Sequence, residues 1–244
     1  MNAEVGHLLK MDKKSAIQSL TDGFGAVLEN DSHLGITYLL KSTEKPIFFT
    51  EGITDRIILE TAWKKSNNGT SMPFIIQEFF SANSLGQLFG VGDQAPDGIF
   101  HQYPDRKMVA LFNFDHTGYN NWNRKNKFNT IVEEDPSSCL VRCNDANGYL
   151  MLLPVLNNEY IKPLAMSDDG NSLEQKSQLM IESLFLGNKK LRELYFNKYS
   201  TPGGGSYFAF TGKKRLFAYS LENESSASFE EFRPLFAKIL DIIS

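Results

Sequence analysis

Two acidic segments hold the residues best equipped for chemistry: Pro46-Ile-Phe-Phe-Thr-Glu51-Gly52-Ile-Thr-Asp55 and Val109-Ala-Leu-Phe-Asn113-Phe-Asp115-His-Thr-Gly118. Each is an unbroken apolar run that stops at carboxylates and a glycine, the pattern of a core strand delivering acids to a sheet edge. Glu51 and Asp55 stand four positions apart, and Gly52 permits a tight turn after the strand. A helix starting in that turn brings the second acid back toward the first, where the helix dipole favours negative charge. Asn113 and Asp115 alternate across Phe114, so in extended structure both point to one side. Oxygen ligands of this kind suit magnesium or manganese. The simpler alternatives are that Asp55 caps its helix with Glu51 an exposed loop acid, and that Asn113 and Asp115 are ordinary turn residues.

The elements that must position these groups alternate. Ile47–Thr50 reads as a central strand, Asp55–Lys65 as the helix after it, Phe74–Phe80 as the next strand, Ser84–Phe89 as a short helix and Lys107–Phe112 as a strong strand. A further helix is expected to begin at Tyr119. Leu140–Cys143 and Tyr149–Leu153, joined by the turn-rich Asn144-Asp-Ala-Asn-Gly148, form a hairpin. Residues 92–104 read as a surface connection, Pro202–Ser206 as a flexible break, and Phe229–Ile243 has helical apolar spacing. Helical hints at Ser15–Leu20 and Leu34–Leu40, with Asp31-Ser32 as a cap, make residues 1–44 a helical N-terminal extension. The fold class is therefore α/β, with a mostly parallel sheet flanked by helices and helical extensions at both ends. In such sheets functional groups collect at the carboxyl ends of the strands.

The 244 residues, 41% of them hydrophobic, suffice for one large domain with insertions. No stretch reaches the roughly 20 apolar residues of a membrane span, and no secretory signal is visible, so a cytoplasmic, membrane-free protein is expected. Cys139 and Cys143 have no second pair and no histidine cluster to complete a zinc site; two reduced core thiols fit better than a disulfide, which the spacing alone would allow. A net charge of -4 argues against a passive nucleic-acid coat protein, although divalent ions at an acidic centre reverse the local field. Basic clusters lie at Arg124–Lys127, Lys189–Arg192 and Gly212–Arg215, each most simply a solvated face.

The Glu51-Gly52 and Asn113-Phe-Asp115 segments resemble the Glu-Gly and Asp-x-Asp motifs of the Toprim domain, the catalytic fold of topoisomerases, bacterial primases and OLD (overcoming lysogenization defect) nucleases. The OLD branch carries a second acid four residues after the first motif, matched by Asp55, and a small residue with glycine after the second, matched by Thr117-Gly118. That branch also uses an acid in an apolar helix, which Ile181-Glu182-Ser-Leu-Phe185 resembles. It uses a lysine near the end of the domain, for which Lys213, directly after Gly212, is favoured over Lys214. The resemblance implies a Toprim-like domain over residues 45–220 with a C-terminal helix, 221–244, packed on it. The usual ATPase half is missing, since no Gly-x-x-x-x-Gly-Lys-Ser/Thr loop occurs; an ATP-driven step would need a separate ATPase subunit.

The activity the resemblance implies is endonuclease cleavage, magnesium- or manganese-dependent, of phosphodiester bonds in nucleic acid, DNA before RNA, in bacterial or phage defence. Glu51 would serve as ligand or general base, Asp55, Asp115 and Glu182 as ligands, Asn113 as a weaker ligand and Lys213 as the neutraliser of transition-state charge. A path through Asn120, Asn121, Trp122 and Arg124 could touch the backbone or stack on a base, or Trp122 could pack on the sheet. A homo-oligomer or partner assembly would supply the second site that double-strand cleavage needs. Asn113 departs from the family pattern, since an amide brings no negative charge to a cation. The alternative is therefore a catalytically attenuated subunit that binds nucleic acid or a partner protein.

Overall fold

In the computed structural model, Ile47–Thr50 (β1) and Met108–Phe112 (β3) are buried at every position, which is why their sequences do not alternate. They lie side by side and parallel, with Ile75–Glu78 (β2) parallel on the far side of β1 and Gly148–Leu152 (β7) parallel on the far side of β3. Val141–Cys143 (β6) and Thr130–Glu133 (β5) continue the sheet antiparallel, giving the order β2-β1-β3-β7-β6-β5. The hairpin read across residues 140–153 is the β6–β7 pair.

The described residues are 35, 36, 38–91, 98–124, 128–144, 146–200 and 205–244. The helical segment at Ser15–Leu20, its neighbouring cap at Asp31-Ser32 and the break at Pro202–Gly204 fall outside them. The chain divides into two compact units, Met1–Glu44 and Lys45–Ser244. Within the first, residues 38–42 are helical. The C-terminal helix belongs to the second.

Helices cover both faces of the sheet because successive residues of β1 point to opposite layers. Phe48 packs on Phe74, which meets Trp63 of the helix Ile53–Ser66 (α1) edge-on at 5.3 Å. Phe49 packs on Phe89, directly after the helix Ala82–Leu88 (α2). Trp63 also meets Phe236 at 5.2 Å, docking the C-terminal helix against α1. No helix among the described residues is long and apolar enough to cross a membrane. Cys139 and Cys143 are both buried and free.

Four expectations about elements change. The helix after β3 begins at His116, not Tyr119 (α3, His116–Trp122), because the Asp115 carboxylate accepts the Gly118 amide at 2.8 Å and caps it. Gly118 sits inside that helix because a Cβ there would lie 1.9 Å from the Asn113 carbonyl oxygen. The 92–104 connection holds a 3-10 turn, Ile99–Gln102, with Ile99 and Phe100 buried. Ile181–Phe185 is not an α-helix. Gln178–Leu179 (β8) pairs antiparallel with Phe114–Asp115 (β4), and only a 3-10 turn, Ile181–Phe185, fits before the next helix, Lys189–Tyr195 (α4). Phe229–Ile243 likewise splits into a 3-10 segment ending at Phe232 and a helix, Arg233–Ile243 (α6), because Pro234, lacking an N–H, suits a first turn and not a helix interior. The remaining elements are the antiparallel ribbon of Phe196–Ser200 (β9) and Ser206–Phe210 (β10), and the helix Lys214–Ser220 (α5).

Candidate functional site

Parallel strands β1 and β3 end at the same edge of the sheet, and the residues after them meet there. Glu51 follows β1, and its Oε1 accepts the backbone N–H of Asn113, which follows β3, at 2.7 Å. The Asn113 side-chain amide also favours the charged form of Glu51. Its Oδ1 accepts the Ile181 N–H at 3.0 Å, tying the strand end to the 3-10 turn that carries Glu182. Asn113 thus spans two acids by donating to one and accepting from the backbone beside the other. An aspartate would keep the backbone donation to Glu51 and the acceptance from Ile181, but would set a further negative charge beside Glu51.

Asp55 is the third residue of α1, within the first turn, where its negative charge suits the helix terminus. It is more than an exposed cap, however, being only 7% exposed, with Oδ1 buried and lacking a donor. Glu182 is fully enclosed. The Lys214 Nζ stands 3.0 Å from its Oε1, while Oε2 has no donor. Buried carboxylate oxygens without donors are expensive, so this cluster costs the fold stability as it stands.

The acids share one field. Burial pushes the Glu51 carboxyl up to about 7, aided by the Asp115 charge and opposed by the Asn113 amide. Burial likewise raises Asp55 to about 7, and the charges of Glu182 and Glu51 add to the effect against the pull of Lys214. Burial works against the Lys214 charge, yet Glu182, Asp55 and Glu51 together hold its ammonium above the ordinary lysine value. Lys214 is therefore the counter-ion of the whole group.

The structure brings Glu51, Asp55, Asn113, Asp115 and Glu182 to one place. It does not bring Lys213 there: Lys213 precedes α5 as an exposed residue, and Lys214, the first residue of the helix, points inward. Trp122 is buried, with the Arg142 guanidinium 4.4 Å from its ring centre, and Asn121 is buried with bonds to Asn83 and the Thr117 carbonyl. Neither is placed to meet nucleic acid. His116, Ser177 and Ser183, which the motif reading passed over, lie beside Asp115 around a cleft.

The donor set suits a hard divalent cation: every candidate is an oxygen, and two buried carboxylate oxygens lack partners. Among the described residues, however, no three acids or histidines converge closely enough to hold an ion as they stand. Asp115 is engaged as a helix cap and Asn113 Oδ1 by Ile181, so coordination calls for Asp55, Glu182 and Glu51 to turn toward a common centre. No protein-family model, curated protein or solved structure matches this chain.

Proposed function

We propose that this chain is a metal-dependent nuclease of the Toprim type, closest to the OLD branch, that hydrolyses phosphodiester bonds of DNA together with a separate ATPase partner. The observation that carries the reading is the pair of buried carboxylates with unpartnered oxygens, Asp55 and Glu182, beside Glu51 at the carboxyl edge of parallel strands. A cluster of this kind is costly without a cation and is a common device for phosphoryl chemistry.

Asp55, Glu182 and Glu51 would hold magnesium or manganese, which when bound polarises a phosphoryl oxygen and makes water a stronger nucleophile. The remaining work falls to the chain. Glu51, with its carboxyl near neutrality, suits proton abstraction from an attacking water when it is not a ligand. Lys214, released from Glu182, neutralises charge developing on the phosphate oxygens. Asn113 fixes the Glu51 carboxylate and the Glu182 turn in register. Asp115 holds α3 at the site's rim.

A second reading has its own support. With Asn113 Oδ1 already taken and no three acids converging among the described residues, the chain would be an attenuated subunit that binds nucleic acid or a partner protein. Cleavage of supercoiled plasmid in manganese separates the two. The nuclease reading expects nicked product from the native chain and none from Glu51→Gln; an inert native chain with intact fold favours the attenuated subunit.

A further inference from the structure

Beside the acid cluster, the β9–β10 ribbon closes one side of a cleft of about 340 Å³. Asp115, His116 and Thr117 line it together with Met180, Phe208 and Phe210. Phe208 and Phe210 are alternate residues of β10, so their rings fall on one side of the ribbon. The Arg192 guanidinium lies 5.6 Å from the Phe208 ring centre and 4.1 Å from that of Tyr160, against whose edge Phe208 packs. The aromatic wall is thereby backed by positive charge.

A second cleft, of about 370 Å³, follows the same strand and is lined by Lys176, Leu173, Met166, Ser206 and Tyr207. Gln178 lines both clefts, and its backbone pairs with Asp115 across β4 and β8. The two clefts therefore form one groove that starts at the acid cluster and runs out along β10. Tyr207, on the other side of the ribbon from Phe208, stacks on Tyr199 with ring centres 5.7 Å apart, while Ser206 and Phe208 carry the groove along β10.

We infer that this groove binds single-stranded nucleic acid, with one unpaired base resting on Phe208 beside Asp115 and the adjoining strand passing Ser206 and Lys176. This inference rests on the proposed nuclease reading for its choice of polymer. The first cleft, of about 340 Å³, has room for one unpaired base. Its walls offer ring faces, an amide and the hydroxyls of Ser177 and Ser183, which suit the flat faces and polar edges of a base. Asp115 at its head disfavours a bare phosphate there but not a neutral base. Lys176, in the second cleft, and the exposed Lys198, directly across the ribbon from Phe208, are placed for the backbone.

The test is fluorescence anisotropy of a labelled oligothymidylate on the full chain in EDTA, where no metal-dependent cleavage can occur, against the same strand annealed to its complement. The expected result is at least about tenfold tighter binding of the single strand, and a loss of about tenfold or more in Phe208→Ala, the range set by base–aromatic stacking. Phe208→Tyr should retain binding. Should Phe208→Ala not fold, Phe208→Leu, which keeps the apolar volume and removes the ring, serves in its place with a loss of the same sign. Duplex bound as tightly as single strand, no binding of the single strand, or unchanged affinity in folded variants would overturn the inference. Binding without manganese-dependent cleavage would sink the nuclease reading and leave the groove standing, whereas cleavage with unchanged binding in Phe208→Ala would do the reverse.

Discussion

Lys214 Nζ lies 3.0 Å from Glu182 Oε1, a half-exposed ammonium against a carboxylate with no solvent contact. The pair joins the first turn of α5 to the 3-10 turn after β8, and it supplies the one cation in direct contact with the acid cluster among the described residues. Removing the lysine leaves an enclosed charge uncompensated. Lys214→Ala should therefore cost about 1–3 kcal/mol in urea unfolding at pH 8. Lys213→Ala, at an exposed position, should stay within about 0.5 kcal/mol of the native chain. Equal effects of the two substitutions would remove Lys214 from its assigned place.

Stability should depend on pH in a direction opposite to that of most carboxylates. Glu51 and Asp55 are raised to about 7 from 4.5 and 3.8, so both bind protons more tightly in the folded chain than in the unfolded one. Their penalty is absent below the unfolded values and complete above about pH 7. The metal-free protein should accordingly lose on the order of a few kcal/mol between pH 5 and pH 8. Glu51→Gln and Asp55→Asn should each flatten the profile and stabilise the chain at pH 8. Chemical denaturation in EDTA across that range reads the slope directly, and stability rising with pH would contradict the assignment.

Asn113 offers a sharper contrast. An aspartate there would keep the backbone donation to Glu51 and the acceptance from Ile181, but would replace the side-chain amide by a charge in a crowded cluster. Asn113→Asp should therefore lower thermal stability in EDTA by about 1–2 kcal/mol. Because an added carboxylate also favours a cation, manganese should raise the melting temperature of the variant by more than it raises that of the native chain. A variant as stable as the native chain in EDTA would show that the Asn113 amide is not needed at Glu51.

Much of this arrangement was legible in the sequence where burial on both faces leaves a strong signature. The runs ending at Thr50 and Phe112 are strands at every residue expected of their cores, and the two motifs after them mark the sheet edge. Glu182 is harder to place, because its position depends on the long-range pairing of β8 with β4 and on the Asn113 bond to Ile181. An apolar five-residue stretch looks helical when that constraint is invisible. The choice between Lys213 and Lys214 turns on a one-residue register, set by where α5 begins. Trp122 looked available to a base because sequence gives no sign of Arg142, which approaches from β6. The groove along β10 was hidden for the same reason: its two walls come from residues far apart in the chain.

The central claim is that Asp55, Glu182 and Glu51 form a divalent-cation site, and manganese binding followed by its electron paramagnetic resonance signal tests it most directly. The native chain should bind manganese saturably at pH 8, with affinity falling as pH drops below about 7 and the acids take up protons. Glu182→Gln and Asp55→Asn, folded by circular dichroism, should weaken binding by tenfold or more. Manganese that stays free in the presence of the folded native chain, or that binds equally well to both variants, would contradict the account.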